Sequence, residues 1–183
     1  MIYCFLADGF EEIEALATVD VLRRASLQVQ TVSVNGSKTV TGSHNIKVEA
    51  DILSCDIDMR GIECAIYPGG MPGAETLSTG EDKLPGKVAQ YCVKNNILVG
   101  AICAAPLVRG RLSLLENKKA TCYPGFENEL KGAECTGDKV TVDGNIVTGR
   151  GPGCSLEFAF TLVSILKDER TALEIRKAMQ CDD

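Results

Sequence analysis

The sequence predicts an α/β fold, a doubly wound, mostly parallel sheet with helices on both faces, and three observations carry that prediction. Short runs of apolar residues, too brief for helices that stand alone, recur along the chain and suit strands buried on both sides. Helix-permissive stretches separate them, so the element order alternates in the way that parallel sheets require. Glu14, Gly70 and Cys103 each follow the end of a different strand, and in such sheets the ligand crevice lies off the carboxyl ends of the strands.

The elements follow in order. Met1 to Ala7 is a central strand. Asp8-Gly9-Phe10-Glu11 has the form of a capping box, with Asp8 as N-cap, and opens a helix to about Ala25. Glu11 and Glu12 suit the positive end of its dipole. Glu14, at about 100° per residue, shares a stripe with Thr18, Val21 and Ala25 and so is a candidate for facing inward; a solvated first-turn glutamate is the other reading. Leu27 to Val34 alternates as a strand with one face less covered. Asn35-Gly36 is a hairpin signal, and Thr39 to Val48 supplies a small antiparallel excursion that carries His44. Ile62 to Tyr67 is the next buried strand, ending in Pro68-Gly69-Gly70-Met71-Pro72-Gly73, a turn whose backbone could approach a ligand closely. A helix over Lys83 to Asn95 leads to the strand that ends at Cys103. Lys119 to Tyr123 is a short strand and Phe126 to Leu130 a short helix. Val140 to Val142 and Ile146 to Thr148 pair across Asp143-Gly144. Gly149-Arg150-Gly151-Pro152-Gly153 opens a core-packed helix, where Arg150 could hold an anion or pin its own loop. An amphipathic helix over about Asp168 to Met179 closes the domain.

With 183 residues, 45% apolar and 24% charged, the chain is long enough for one sizeable core and a single domain, 1–183. Its net charge of -6, with scattered Lys and Arg, argues against nucleic acid and anionic membrane surfaces. No run approaches a membrane span and no leader is evident, so a cytoplasmic location is expected. Nine cysteines without a C-x-x-C pair indicate neither a disulfide framework nor a zinc ribbon, and with His44 as the one imidazole no metal site is expected.

Chemistry is expected at Cys103. It stands at a strand-to-helix junction with Ala101 and Ala105 two residues to either side, the small-residue spacing of a nucleophile elbow. Such a turn aims backbone N–H groups, Ala104 first, at an oxygen that becomes negative during attack. The following helix N-terminus is expected to lower the thiol pKa. A buried, inert cysteine is the alternative.

Five motifs in order, Asp8-Gly9-Phe10-Glu11-Glu12-Ile13-Glu14, Val19-Asp20-Val21-Leu22-Arg23-Arg24-Ala25, Tyr67-Pro68-Gly69-Gly70, Ala101-Ile102-Cys103-Ala104-Ala105-Pro106 and Gly149-Arg150-Gly151-Pro152-Gly153, resemble the ThiJ/PfpI superfamily over nearly the whole chain, most closely its DJ-one branch. The resemblance implies a flavodoxin-like three-layer sandwich, a homodimer, a reactive Cys103 hydrogen-bonded to Glu14, and an oxyanion hole from the N–H groups of Gly70 and Ala104. Gly69, Tyr123, Arg150 and His44 are expected to line the site, and no cofactor is implied. Relatives are described as glutathione-independent glyoxalases, deglycases, redox-sensing chaperones and peptidases. Here Tyr123 stands where relatives commonly carry a histidine near the cysteine, and a phenol is a poor base at neutral pH, which weakens the peptidase reading most. His44 falls about where relatives place an arginine that reaches the partner's site. The leading expectation is attack of Cys103 on a small aldehyde, with Glu14 moving protons. A peroxide sensor is the non-enzymatic alternative.

Overall fold

The structure, a computed structural model, describes residues 1–181, Arg109 through its backbone only. Its elements are β1 (Ile2–Leu6), α1 (Glu12–Arg24), β2 (Val29–Ser33), β3 (Thr39–Thr41), β4 (Lys47–Glu49), β5 (Ile52–Leu53), β6 (Cys64–Tyr67), α2 (Gly73–Thr79), α3 (Leu84–Lys94), β7 (Leu98–Ile102), α4 (Pro106–Gly110), β8 (Lys119–Ala120), β9 (Glu134–Cys135), β10 (Val140–Asp143), β11 (Ile146–Gly149), α5 (Ser155–Leu166) and α6 (Glu169–Ala178). Seven strands form one sheet in the order β10-β11-β7-β6-β1-β2-β5, parallel throughout except for the β10–β11 hairpin at one edge. Helix α5 packs against both α1 and α6, and α2, α3 and α4 form a second group. This is the mostly parallel, helix-flanked sheet that the alternation predicts.

Every residue of β1, β6 and β7 is buried, which explains their continuous apolar runs: strands covered on both faces have no solvent side to keep polar. Phe5 and Tyr67 stack with ring centroids 5.1 Å apart, and Tyr67 satisfies its buried hydroxyl by donating to Pro85 O at 2.8 Å.

The strand order places the site. The chain leaves β1 to build β2 and β5 on one side, then returns to build β6, β7 and β11 on the other, so direction reverses beside β1, where the crevice of such a sheet opens. Because β1, β6 and β7 are neighbours, the segments that follow them, which carry Glu14, Gly69-Gly70 and Cys103, converge there.

Several boundaries differ from the expectation. Helix α1 begins at Glu12, not after Asp8, and its N-cap is Glu11, whose Oε2 accepts from Glu14 N at 2.8 Å. Asp8 instead accepts from Thr41 N at 2.8 Å and Asn35 Nδ2 at 3.0 Å, fastening the β3–β4 excursion to the end of β1. Asn35-Gly36 therefore leads out of the main sheet and joins no paired strands. Strand β2 is buried at every position but Gln30, since it lies between β1 and β5 rather than at a bare face. Helix α2 was not expected, and β8 stops at Ala120 because Thr121 N turns to the Thr148 hydroxyl at 2.9 Å.

One ion-pair network spans distant segments. Arg111 reaches Glu75 on α2 (Nη1 to Oε1, 2.7 Å) and Glu129 (Nε to Oε2, 2.8 Å), and its side chain is only 30% exposed. Arg111→Ala is expected to lower stability by about 1 kcal/mol, because a shared, partly buried guanidinium exceeds a lone surface pair. A urea midpoint that does not move would show the network to be energetically idle.

Candidate active site

Strand β7 delivers Cys103 to the crevice in a left-handed conformation, φ 64°, costing on the order of 1–3 kcal/mol for a residue with a Cβ. Two backbone hydrogen bonds impose it: Cys103 N donates to Gly149 O at 2.8 Å, and Cys103 O accepts from Tyr123 N at 2.9 Å. The elbow that the small flanking residues predict is thus present, held by β11 and by the segment after β8.

Glu14 faces inward, as the stripe with Thr18, Val21 and Ala25 suggests, and is fully buried. Its Oε2 accepts from Gly69 N at 2.7 Å. Its Oε1 has no hydrogen-bond partner, and the carboxyl group as a whole interacts with the Cys103 thiol. Burial pushes the Glu14 carboxyl up to about 7, against the downward pull of the Gly69 N–H and the thiol, and with some help from the charge of Glu11.

The thiol pKa is raised, not lowered. Cys103 is 8% exposed, and burial comes first among the causes, then the charge of Glu14 and its hydrogen bond. The N–H groups of Gly70 and Ala104 act on the sulfur in the opposite direction and lose. The helix expected to activate the thiol is α4, five residues long and starting only at Pro106, too short and too far on to outweigh a carboxylate in contact. Acid and thiol form one coupled pair in a site of low polarity, where placing a single proton matters more than either group alone.

Gly69 sits between the two. Continuing the pairing of Tyr67 with Ala101 by two residues sets Gly69 level with Cys103, and a Cβ there would come 2.7 Å from both Cys103 Cβ and Glu14 Oε2. Gly70, at φ 86°, has its own would-be Cβ inside the backbone of Gly9 to Glu11.

The remaining expected residues divide. Tyr123 and Arg150 line a cleft of about 430 Å³ that adjoins the elbow, with Tyr123 bridging the two through its backbone. Arg150 pins its loop through Nη1 to Gly137 O at 2.9 Å. His44 is turned elsewhere: its Nδ1 lies 2.7 Å from Glu12 Oε2 and 3.9 Å from Glu11 Oε1, and no contact ties it to Cys103. Burial pushes the Glu12 carboxyl up, but hydrogen bonds from His44 and Ser43 bring it down to about 2, and Glu12 in turn raises the imidazole. Glu11, Glu12 and His44 are the one grouping of metal-ligand atoms among the described residues, within 4.8 Å of one another, and these mutual hydrogen bonds already satisfy it. Residues that the sequence did not single out are Lys139 and Cys154, which also line the cleft, while Glu11, read from sequence as the third member after an Asp8 cap, is itself the cap that fixes the backbone of Glu14.

A buried acid against an elbow thiol, with two N–H groups on the sulfur, joins three of the five sequence motifs into one arrangement. The sequence model of the DJ-1/PfpI family matches residues 1–165. The chain belongs to the DJ-1/PfpI family. It is 38% identical over 174 residues to Protein DJ-1 homolog B of Arabidopsis thaliana, covering 94% of this chain and 39% of that relative's length. A DJ-1 relative from Schizosaccharomyces pombe, named a glutathione-independent glyoxalase, is 32% identical over 168 residues, 87% of each chain. Among solved structures, Toxoplasma gondii DJ-1, oxidized, superposes with a TM-score of 0.92 at 32% identity, covering 98% of this chain and 97% of that one. The seven-stranded sheet and its helices are thus the flavodoxin-like DJ-1 fold. No helix among the described residues is long and apolar enough to cross a membrane.

Proposed function

We propose that this protein converts small 2-oxoaldehydes such as methylglyoxal to hydroxy acids without glutathione, through Cys103 and Glu14. The observation that carries the reading is the pairing of the Cys103 thiol with a buried carboxyl group whose Oε1 is otherwise unsatisfied. The name of the fission yeast relative supports it. As the sulfur bonds to the aldehyde carbon, the thiol proton passes to Glu14, and the N–H groups of Gly70 and Ala104 receive the carbonyl oxygen as it turns negative. Glu14 hands that proton on to the new oxyanion and, ionised again, takes the proton from the carbon of the hemithioacetal. It returns this proton to the neighbouring carbon, while the hydroxyl proton moves to the former ketone oxygen to leave a lactoyl thioester. The resulting thioester is cleaved by water to lactate and free thiol.

Attack requires ionised Glu14, so turnover should rise with pH through about 7. The test follows lactate from methylglyoxal without glutathione: Cys103→Ser is expected to abolish it, and activity that survives that change would refute the assignment. Selective peroxide oxidation of Cys103 among the nine thiols, with no lactate formed, would move the site to redox sensing. The function of the whole chain as one domain in a cytoplasmic homodimer is part of the same proposal. The exposed apolar side chains of Ile13, Leu16 and Ile46 support the dimer, which sedimentation at micromolar concentration checks.

A further inference from the structure

We infer that the cleft beside Cys103 is a binding subsite for a small carboxylate, and that Lys139 and Arg150 are its anion-binding groups. The cleft, about 430 Å³, is lined by Tyr123, Lys139, Arg150, Pro152 and Cys154 among others, and no acidic residue contributes to its wall. This is out of character for a chain in which Asp and Glu outnumber Lys and Arg by 25 to 19. Several other cations do have carboxylate partners: Arg23 with Asp51, Arg111 with Glu75 and Glu129, Lys118 with Asp143. Lys139 has no side-chain hydrogen bond or ion pair among the described residues, and Arg150 commits one N–H to Gly137 O without any carboxylate partner. An arginine so held keeps the planar fork that fits a carboxylate, because the bond to its own loop fixes the guanidinium without neutralising it. The thiol of Cys154 is already engaged with Gly151 O at 3.0 Å, so the charged wall of the cleft is wholly cationic.

Position links this site to the proposed Cys103 chemistry, on which the choice of carboxylate rests. Tyr123 belongs both to the cleft wall and to the backbone that pins Cys103. Methylglyoxal arrives neutral and lactate leaves as an anion, so two cations without carboxylate partners, in a cleft that shares Tyr123 with the backbone pinning Cys103, hold the product and not the substrate. Lactate should therefore be a product inhibitor whose strength depends on these two residues.

The test titrates lactate into Cys103→Ser protein by calorimetry, with neutral hydroxyacetone and inorganic phosphate as the other arms. Lactate should bind, more weakly at high salt, while hydroxyacetone should not. Lys139→Gln, which breaks no contact of the fold, should weaken lactate about tenfold, as should Arg150→Gln, with Arg150→Lys recovering most of the loss. Lys94→Gln, on the far end of α3, serves as the control and should change nothing. No lactate binding, or binding indifferent to Lys139→Gln, overturns the subsite. Phosphate binding as tight as lactate also overturns the carboxylate assignment. The two readings fail separately: lactate binding in a protein that never turns over methylglyoxal upholds the subsite and sinks the Cys103 reading, whereas turnover without lactate binding does the reverse.

Discussion

At pH 8, Glu14→Gln is expected to stabilise the protein by about 3 kcal/mol, and at pH 4 to leave it nearly unchanged. The magnitude comes from the carboxyl pKa, raised from 4.5 to about 7 in the folded protein, at about 1.36 kcal/mol per unit. Between those two values the folded state binds a proton that the unfolded chain releases. The contribution of Glu14 to stability is thus intact below about 4.5 and is lost as pH rises through about 7. Glutamine cannot ionise, so it escapes that loss, and its amide oxygen still accepts from Gly69 N, which spans 2.7 Å to Glu14 Oε2 in the native protein. Denaturant midpoints at the two pH values measure the effect; equal changes at both, or a destabilisation at pH 8, would contradict the buried, unsatisfied carboxylate. The same substitution removes the charge and the hydrogen bond that raise the thiol, so alkylation of Cys103 by iodoacetamide at pH 8 should become faster. A protein made more stable and more thiol-reactive, yet unable to form lactate, would separate the role of Glu14 as proton carrier from any role in holding the fold.

Why much of this was legible from sequence lies in periodicity and backbone chemistry. Continuous burial writes itself as unbroken apolar runs, so β1, β6 and β7 were readable, and so was the convergence of the segments at their carboxyl ends. The stripe of Glu14 with Thr18, Val21 and Ala25 was legible from helical periodicity, but a solvated first-turn glutamate fits the same pattern, and only the fold, which buries Glu14 fully, decides between the two. Capping was not: Asp8 and Glu11 fit the same motif whether Asp8 caps a helix or grips the β3–β4 excursion, and only the tertiary contact to Thr41 decides. Helix α2 hid behind Pro72-Gly73, which signals a turn first and a helix start second. The direction of the thiol shift was not legible because its sign depends on distance. From sequence, the dipole of the following helix is the nearest charge in view, whereas the fold brings in a carboxylate from α1 that dominates. Lys139 carried no signal at all, since an exposed lysine in a turn is commonplace until a cleft and an arginine are found next to it.

Gly69→Ala should be among the costliest single-methyl changes in the molecule, about 3 kcal/mol, while Gly86→Ala, the same change on α3, should stabilise by about 0.5–1 kcal/mol. The contrast comes from space alone. At position 86 the added Cβ would meet only Leu112 Cδ1 at an ordinary 3.6 Å, and alanine is the better helix former. At position 69 it would stand 2.7 Å from Cys103 Cβ, 2.7 Å from Glu14 Oε2 and 3.0 Å from Ile102 O. None of these can yield cheaply. Cys103 is pinned through both its N–H and its carbonyl, Ile102 ends a strand buried throughout, and Glu14 is locked on Gly69 N itself. Relief requires the segment after β6 to move away from the one after β7, which separates acid from thiol. The stability loss in Gly69→Ala should therefore come with a second signature that a mere packing defect lacks: Cys103 alkylation should lose its dependence on the ionisation of Glu14, and its pH profile should approach that of a free thiol. Gly69→Ala protein within about 0.5 kcal/mol of the parent, with an unchanged alkylation profile, would mean that glycine is not what brings Cys103 and Glu14 together.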